Sequence, residues 1–444
     1  MTSHQQKRSG REQSSLLRVA SVVLAAASTV MLTQPATAAD YTITGSSNTY
    51  LRMTRTINKD DLYPLYEYLR FSVTAAEKDG SATSLHLGAW GRVDLFDKST
   101  DHYTDGDLQY GYLSYQGAKN NLVLNAGRQF VTEGVAADRV DGLYVRSDFA
   151  AGITAAAFAG SPVVTTPNYK GGDFIYGGRL AQGKPGLYSI GVSALRNESD
   201  NARDREEEGL DVWVHPVKQV DLTGRSSYNS ITDGWMEHAY TLSVAPIDAV
   251  TVSADFSRIN YQDYFYNVTT TAFALNNNGG LLDPREKVTA AGLSAAWSPV
   301  KNLTVAAEYK NYGYEILGSA DYVGGKVAYT TADALSLGAS GHRMDGSTDR
   351  TRYYDYRLYA LKKMGHTELG VDFYNVIFDR PIDGVKSSYA LTGIAGYEFT
   401  EKLNVGGEIE YSQSPDFNRE WRALVKVAYA FETKGGEKGG KSEK

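Results

Sequence analysis

One kind of turn recurs along this chain, and it constrains the possible folds more than any other feature of the sequence. Its clearest copies are His215–Lys218, Ala245–Asp248 and Ser298–Lys301. Each copy follows an apolar stretch and precedes a segment in which apolar and polar residues alternate, such as Val220-Asp221-Leu222. This order predicts a β-strand, a tight polar turn and a second strand. Proline suits the turn because it has no backbone N–H and fixes φ at a strand end.

Weaker turns continue the series along the chain. They lie near Gly80, Gly117-Ala118, Ala150, Gly183-Lys184, Thr330–Asp333, Gly365-His366 and Thr400–Lys402. The complete series recurs at intervals of roughly 30 to 40 residues, except for one wider gap that contains the polar segment Asp263–Glu286. About ten tight turns imply about eleven hairpins, and hence an all-β chain of about 22 strands that starts near Tyr41.

Longer and more polar segments separate the tight turns. Examples are Asp97–Asp107, Asn197–Glu208, Met344–Arg350 and Asp379–Val385. One end of the hairpins is therefore predicted to carry short turns, and the other end longer loops. This asymmetry is typical of transmembrane antiparallel up-and-down β-barrels, which have short periplasmic turns and longer outer loops. The pattern supports about 18 to 22 strands, with about 22 as the best count.

The predicted strands place charged residues on one of their two faces. In a barrel whose apolar side chains point outward, these charges face the lumen. The predicted lumen-facing charges are Asp221, Arg225, Glu308, Lys310, Glu408, Glu410, Arg422 and Lys426. Fixed charges that line a pore bias the passage of ions, whereas the same charges on a wide wall only keep that wall hydrated. The sequence leaves both interpretations open.

The last strong strand, residues 418–431, shows the two faces most clearly. Trp421, Val425 and Tyr429 alternate with Arg422 and Lys426. An apolar side with aromatic residues at its ends suits a strand with one face in lipid, although cross-strand packing also uses aromatic residues. The predicted membrane-interface aromatics are Tyr309, Tyr411, Trp421, Tyr429 and Phe431. As the closing strand, this segment is predicted to pair with the first strand, near Tyr41–Met53.

The first 38 residues have the three parts of a secretory signal peptide. A basic region that includes Lys7 and Arg18 precedes the apolar run Val19–Leu32, and Ala36-Thr37-Ala38 supplies a cleavage site. The apolar run is too short to span a membrane comfortably. We therefore predict a cleaved signal peptide over 1–38, a barrel over 39–431 and a disordered charged tail over 432–444.

The composition excludes several classes of function. The chain has no Cys, which rules out disulfides, zinc–thiolate sites and covalently attached haem. Its net charge is −7, and removal of the basic leader makes it more negative, so nucleic acid is not an expected partner. Barrel lipases and proteases need a Ser or Asp in a fixed relation to a His, whereas the seven His of this chain are scattered, and several of them sit at turns. We expect no enzyme activity, no metal site and no cofactor.

One region carries a family resemblance. Its pieces are Tyr112–Tyr115, Leu122–Phe130, Val140–Ser147 and Ala151–Ile153. From Tyr110 to Val163, the chain resembles the general porins of Gram-negative outer membranes, which implies a membrane barrel that acts as a channel. In those porins, a Gly-Arg strand leads into a long third loop that folds into the pore.

The resemblance makes Arg128 a further lumen-facing candidate. The alternation of Leu124 and Ala126 points Arg128 outward instead, and a β-bulge at Gly127 would reconcile the two interpretations. The segment that corresponds to the third loop, Val131–Arg139, is short. We therefore expect a barrel that has no constriction loop of its own.

Two functional hypotheses follow from these observations. The first is a passive channel for small or ionic solutes in a Gram-negative outer membrane, with outer-membrane lipid around it. The features also look like the barrel component of porin–cytochrome conduits. In such a conduit, multihaem cytochromes fill the lumen of a sleeve and support electron transfer across the membrane, so that any redox cofactor belongs to the partner. A soluble exported β-protein is disfavoured by the asymmetry of turns and loops.

Overall fold

The computed structural model describes residues 40–55, 61–96, 104–163, 173–199, 202–266, 283, 285–417 and 419–435. The fold is a closed antiparallel β-barrel of 22 strands, and this confirms the predicted fold class and the best strand count. The predicted signal peptide, 1–38, and the end of the predicted tail, 436–444, lie outside the described residues.

In chain order, the strands are β1 Asp40–Arg55, β2 Asp61–Leu62, β3 Pro64–Ala76, β4 Ala82–Asp94, β5 Thr104–Gln116, β6 Leu122–Glu133, β7 Ala136–Asp148, β8 Ile153–Pro162, β9 Phe174–Lys184, β10 Tyr188–Ser199, β11 Ala202–Val217, β12 Val220–Asn229, β13 Gly234–Ile247, β14 Val250–Asn260, β15 Lys287–Val300, β16 Leu303–Tyr314, β17 Gly318–Thr330, β18 Leu335–Gly346, β19 Arg352–Met364, β20 Thr367–Ile382, β21 Val385–Thr400, β22 Leu403–Gln413 and β23 Arg419–Gly435. The short β2 only extends the ladder of β1. An α-helical turn spans Tyr261–Tyr264, and 3₁₀ turns span Ala150–Gly152 and Asp349–Thr351.

The chain divides into two compact units. The described residues of one unit lie within 40–120, 398–407 and 422–435. Within it, β23 pairs with β1, β1 with β3, β3 with β4 and β4 with β5, all antiparallel. The other unit consists of residues 121–397 and 408–421. Within it, each strand from β6 to β20 pairs antiparallel with the next one along the chain.

The tight turns lie where the sequence predicts them. Each of the predicted turns lies at the junction of two consecutive strands, although Gly183 and Lys184 are the last residues of β9 and the turn itself follows them. The prolines of the three clearest copies, Pro216, Pro246 and Pro299, do not lie in the turns themselves. Each lies in an irregularity of the ladder just before its turn, as between Val214 and Val217 of β11. A bulge tolerates proline because the residue there needs no donor for the ladder.

Side-chain hydrogen bonds hold the turns, as the one between β17 and β18 shows. Hydrogen bonds from Lys362 and then from Thr331 lower the pKa of Asp333 to about 2, so this carboxylate stays charged at physiological pH. Ala334 beside it adopts a left-handed conformation, with φ of 62°. The residue types of this turn therefore fix its geometry.

At the opposite ends of the hairpins, two of the predicted loops are shorter than expected. The predicted loop Asn197–Glu208 lies mostly in β10 and β11, and Asp379–Val385 reduces to the two-residue turn Asp383-Gly384. Connections at this end range from such turns to residues 261–286. A polar composition therefore indicates that a segment faces water, but it does not indicate a loop. A strand can also expose polar side chains to water while its backbone groups stay hydrogen-bonded in the sheet.

The closing strand behaves as predicted. It pairs with β1 in one unbroken register, from Tyr41 opposite Gly435 to Met53 opposite Ala423. The strand continues beyond Phe431 to Gly435, so the predicted barrel end at 431 is too early. The polar residues 432–435 stay in the sheet because β1 supplies partners for their backbone groups.

Candidate ion-lined site on the inner face

The two faces of the strands differ in chemistry. In β9 and β10, Leu180, Ile190 and Val192 expose 54%, 45% and 53% of their surface. The residues that alternate with them, such as Arg179 and Ser193, are polar and at least partly buried. A face of large exposed apolar side chains is the one that suits lipid. We call it the outer face, and we call the face of the alternating residues the inner face.

Four of the predicted lumen charges lie on the inner face with partners. Asp221 accepts a hydrogen bond from Trp213 Nε1 at 2.9 Å. Arg225 donates to both carboxylate oxygens of Glu237, at 3.0 and 3.1 Å. Lys310 and Glu308 also have partners on other strands. In the structure, each of these four charged residues therefore has an ion-pair or hydrogen-bond partner.

The other four predicted charges lie in the last two strands. Glu408 and Glu410 flank Ile409, whose side of β22 is exposed. Arg422 and Lys426 alternate with exposed Trp421 and Val425 in β23. The Lys426 ammonium lies 5.6 Å from the ring centre of Tyr50 on β1. All four lie opposite an apolar face, and their role in ion passage stays a prediction.

The predicted interface aromatics are mostly exposed. Tyr309, Trp421 and Tyr429 expose 47%, 52% and 46% of their surface. The Tyr411 ring lies 4.7 Å from that of Trp421, and Phe431 covers Gly45 of β1. Trp421 lies near the loop end of β23, whereas Tyr429 and Phe431 lie near its turn end. This placement suits both predicted roles, an interface girdle and cross-strand packing.

Arg128 forms an ion pair with Asp141. Its guanidinium donates to the two carboxylate oxygens at 2.8 and 2.9 Å. The predicted bulge at Gly127 is not present, because β6 and β7 pair continuously from Leu122 to Glu133. Gly127 instead has a φ of 124°, which L side chains rarely adopt. The place of Arg128 among the lumen charges stays a prediction.

Three glycines form a row across three neighbouring strands. Gly127 of β6 pairs with Gly142 of β7, and Gly142 pairs with Gly160 of β8. A Cβ on Gly142 would lie 2.1 Å from the carbonyl oxygen of Ala159. Only residues without a side chain allow these backbones to approach so closely. The sheet bends inward at this row.

Beyond the glycine row, residues 129–140 fold back over the inner face, and we call this segment the inward hairpin. Its Val131, Ala136 and Val140 pack against three inner-face residues in a cluster with at most 4% exposure. The three inner-face residues are Phe158, Ile175 and Leu195. Burial of each large apolar side chain is worth about 1.5–3 kcal/mol. We expected no constriction loop from these residues, and the structure shows that this short segment nevertheless folds over the inner face.

Polar contacts fix the tip of the inward hairpin. The Val135 N–H donates to Ser193 Oγ of β10 at 3.0 Å, and the Tyr144 hydroxyl donates to Glu133 at 2.6 Å. Arg205 of β11 donates to Asp138 in the hairpin at 2.7 Å and to Glu207 at 2.7 and 2.9 Å. Arg205 thus ties the hairpin to the wall through a partly buried ion triad.

A cavity of about 760 Å³ lies between the inward hairpin and the inner face. Tyr264 and Tyr266, which follow β14, also line it. Eight charged residues line it, namely Glu133, Arg146, Arg179, Arg205, Glu207, Asp211, Arg225 and Glu237. Their charges balance, and the volume is in the range of small-molecule sites. The arrangement can hold water and small polar solutes among charge-assisted hydrogen bonds.

Some of the ion pairs join strands that are not neighbours. Lys310 of β16 reaches Asp255 of β14 at 2.8 Å across Gly292 of β15. A Cβ on Gly292 would lie 2.4 Å from an Asp255 oxygen. Arg179 and Asp211 meet in the same way, over Gly191. Each such glycine allows an ion pair to hold three strands together.

The placement of the inward hairpin can be tested with an engineered disulfide. A Cβ on Gly209 of β11 would lie 2.4 Å from Val135 Cγ1, which suits the geometry of a disulfide between Val135→Cys and Gly209→Cys. Because the natural chain has no Cys, we expect nearly complete cross-linking on mild oxidation, read as a shift on non-reducing gels and by mass spectrometry. The control pair Val135→Cys/Leu210→Cys should stay reduced, because Leu210 points to the outer face. Equal cross-linking of both pairs would contradict the placement.

Within the described residues, no helix is long and apolar enough to span a membrane. In the same part of the chain, no group of three or more His, Asp or Glu residues has the arrangement of a metal site. The sequence reasoning missed Glu133, Arg205, Glu237, His342 and the glycine row. The glycines at 127, 142 and 160 are the sequence feature from which the bend before the inward hairpin could have been predicted.

Comparisons with known proteins find similar structures but no similar sequences. No protein-family model matches the sequence, and no curated protein matches it. Two variants of the ferric enterobactin receptor PfeA from Pseudomonas aeruginosa have TM-scores of 0.52 and 0.51 at 10% identity. The alignments cover 90% and 88% of this chain and 81% and 80% of theirs. The Acinetobacter baumannii protein OccAB4 has a TM-score of 0.45 at 10% identity, with 89% and 99% coverage. The likeness to PfeA shows the fold, and the predicted resemblance to outer-membrane barrels is confirmed at that level.

Proposed function

We propose that this protein is a porin-like channel in a Gram-negative outer membrane, through which small or ionic solutes pass passively. The observation that carries the proposal is the chemistry of the two faces. The outer face is apolar, whereas the inner face holds ion pairs and a cavity with balanced charges. A closed barrel with such faces separates lipid from a hydrated path.

The aromatic residues support the membrane location. Trp235, Tyr354 and Trp421 expose 55%, 45% and 52% of their surface near the loop ends of their strands. Trp297 and Tyr329 are likewise exposed near the turn ends. Amphipathic rings favour the boundary between hydrocarbon and water. The exposed rings near the loop ends and those near the turn ends therefore suit the two interfaces of an apolar band.

Solute uptake by proteoliposomes tests the proposed passage. Vesicles that contain the purified chain should swell in small ionic solutes such as potassium acetate, and the rate should fall as solute size increases. Vesicles that contain heat-denatured protein are the control. Swelling no faster than that of the control for every solute would contradict the proposal.

The same preparation addresses the cytochrome sleeve. A sleeve would co-purify with haem protein, detected by its Soret absorbance, and would conduct only when that partner is removed. A haem-free barrel that admits solutes supports the channel. The inward hairpin favours the channel, because the chain itself covers part of its inner face.

A further inference from the structure

His342 lies between two carboxylates on the inner face. Its Nδ1 is 3.1 Å from Asp355 Oδ1 of β19, and its Nε2 is 3.0 Å from Glu308 Oε1 of β16. The side chains of His342 and Asp355 are 7% and 5% exposed, whereas that of Glu308 is 41% exposed. Glu308 reaches His342 across Gly324 of β17. The buried histidine therefore joins a buried carboxylate to an accessible one.

The chemistry of the imidazole makes the two contacts unequal. A neutral imidazole has one N–H, and a carboxylate can only accept, so Nδ1–H donates to the buried Asp355. The Nε2 lone pair then faces the Glu308 carboxylate, and among the described residues this nitrogen has no hydrogen-bond partner. A second proton on the ring would place a positive charge 3.0 Å from the Glu308 oxygen. Protonation therefore turns an unfavourable contact between a lone pair and a carboxylate into an ion pair.

The groups around His342 are carboxylates, lysines, arginines and tyrosines, which are side-chain types whose ordinary pKa values lie outside the range from about pH 5 to pH 8. On β16, Lys310 lies next to Glu308 along the same face and is paired with Asp255. On β17, the Tyr322 ring stacks on the imidazole at 4.8 Å, and Lys326 lies one inner-face position beyond Gly324. On β19, Tyr353 and Arg357 flank Asp355, and Arg357 is paired with Asp372. Imidazole is the one side-chain type in this set whose ordinary pKa lies within that range.

We propose that His342 is a residue that determines the ion selectivity of the channel, because its protonation neutralises the accessible carboxylate of Glu308. At high pH, Glu308 presents a free negative charge to the lumen, and the channel favours cations. As the pH falls, the imidazolium pairs with Glu308 and the preference for cations decreases. This inference rests on the proposed channel function.

Reversal potentials across planar bilayers, in a gradient of potassium chloride, test the proposal. The potassium-to-chloride permeability ratio should fall by roughly two- to threefold from pH 8 to pH 5. Glu308→Gln should lower the ratio at pH 8 and abolish its dependence on pH, and His342→Gln should keep the ratio high at both values. His86→Gln is the control, since His86 bonds Ser72 and stacks on Tyr112, and it should retain the wild-type dependence.

The outcomes separate this proposal from the channel function. A conducting wild type whose ratio does not change, or a His342→Gln variant that keeps the change, would overturn the role of His342 and leave the channel intact. If the chain does not conduct, the proposed channel function fails. An NMR titration of the labelled His342 ring then decides whether the charge of His342 is coupled to Glu308. A midpoint that moves in Glu308→Gln supports the coupling, and an unmoved midpoint overturns it.

Discussion

Replacement of Gly142 by valine is expected to displace the inward hairpin and to raise the conductance of the channel, by roughly twofold. A Cβ at this position would lie 2.1 Å from the Ala159 carbonyl oxygen and 2.7 Å from the Gly160 Cα, both of which are backbone atoms. No change of rotamer relieves such a clash, so the bend itself must open. Single-channel recording measures the effect, and the hairpin should at the same time become sensitive to protease.

Two further variants complete this test. Gly393→Ala is the matched control, because a Cβ there would meet only Ile409 Cγ2 at an ordinary 3.7 Å, and its conductance should equal that of the wild type. Replacement of residues 129–140 by a two-residue turn should reproduce the larger conductance without any backbone clash. If that deletion conducts like the wild type, the inward hairpin does not restrict the path.

Arg205→Met is expected to give the largest loss of stability among changes at the candidate site. The substitution leaves Asp138 and Glu207 without their shared cation, and the Glu207 side chain is only 4% exposed. Loss of one partner from a buried ionic group costs about 3–5 kcal/mol, because the remaining charge stays desolvated. Urea unfolding of the barrel in detergent, followed by tryptophan fluorescence, measures the loss.

The control for Arg205 is an ion pair in a more exposed place. Arg357 and Asp372 also lie on the inner face, with side chains 53% and 26% exposed. Arg357→Met should cost less than about 1 kcal/mol, because water screens such pairs. A combined Arg205→Met, Asp138→Asn and Glu207→Gln variant should recover most of the lost stability. Equal losses for the two single variants would show that the Arg205 triad is no more important than a solvated pair.

Much of the barrel could be predicted from the sequence because its main features are local. A tight turn and the alternation that follows it occupy adjacent residues, so Pro216, Pro246 and Pro299 mark turns without knowledge of the partner strand. The pairing of β23 with β1 could be predicted because an antiparallel barrel with an even number of strands closes by pairing its last strand with its first. Periodicity also separates the apolar face from the charged face in strands such as β12, β16 and β23.

The inward hairpin and the ion pairs could not be predicted in the same way. Alternation gives the face of a residue but not the curvature of the sheet, so Gly127 suggests a bulge where the structure has a bend. The partners Arg205 and Asp138 are 67 residues apart, and no spacing rule brings them together. In the sequence, His342 is one of several scattered histidines, and only the register of the strands places it beside Glu308 and Asp355.

Single-channel recording of the purified wild-type chain, without partners, tests the central claim most directly. We predict discrete and steady conductance steps in a planar bilayer, because charged residues line the inner face and the inward hairpin covers only part of it. Current that stays at the level of the bare bilayer would contradict the claim when the barrel is folded and inserted, as shown by its heat-modifiable mobility on gels.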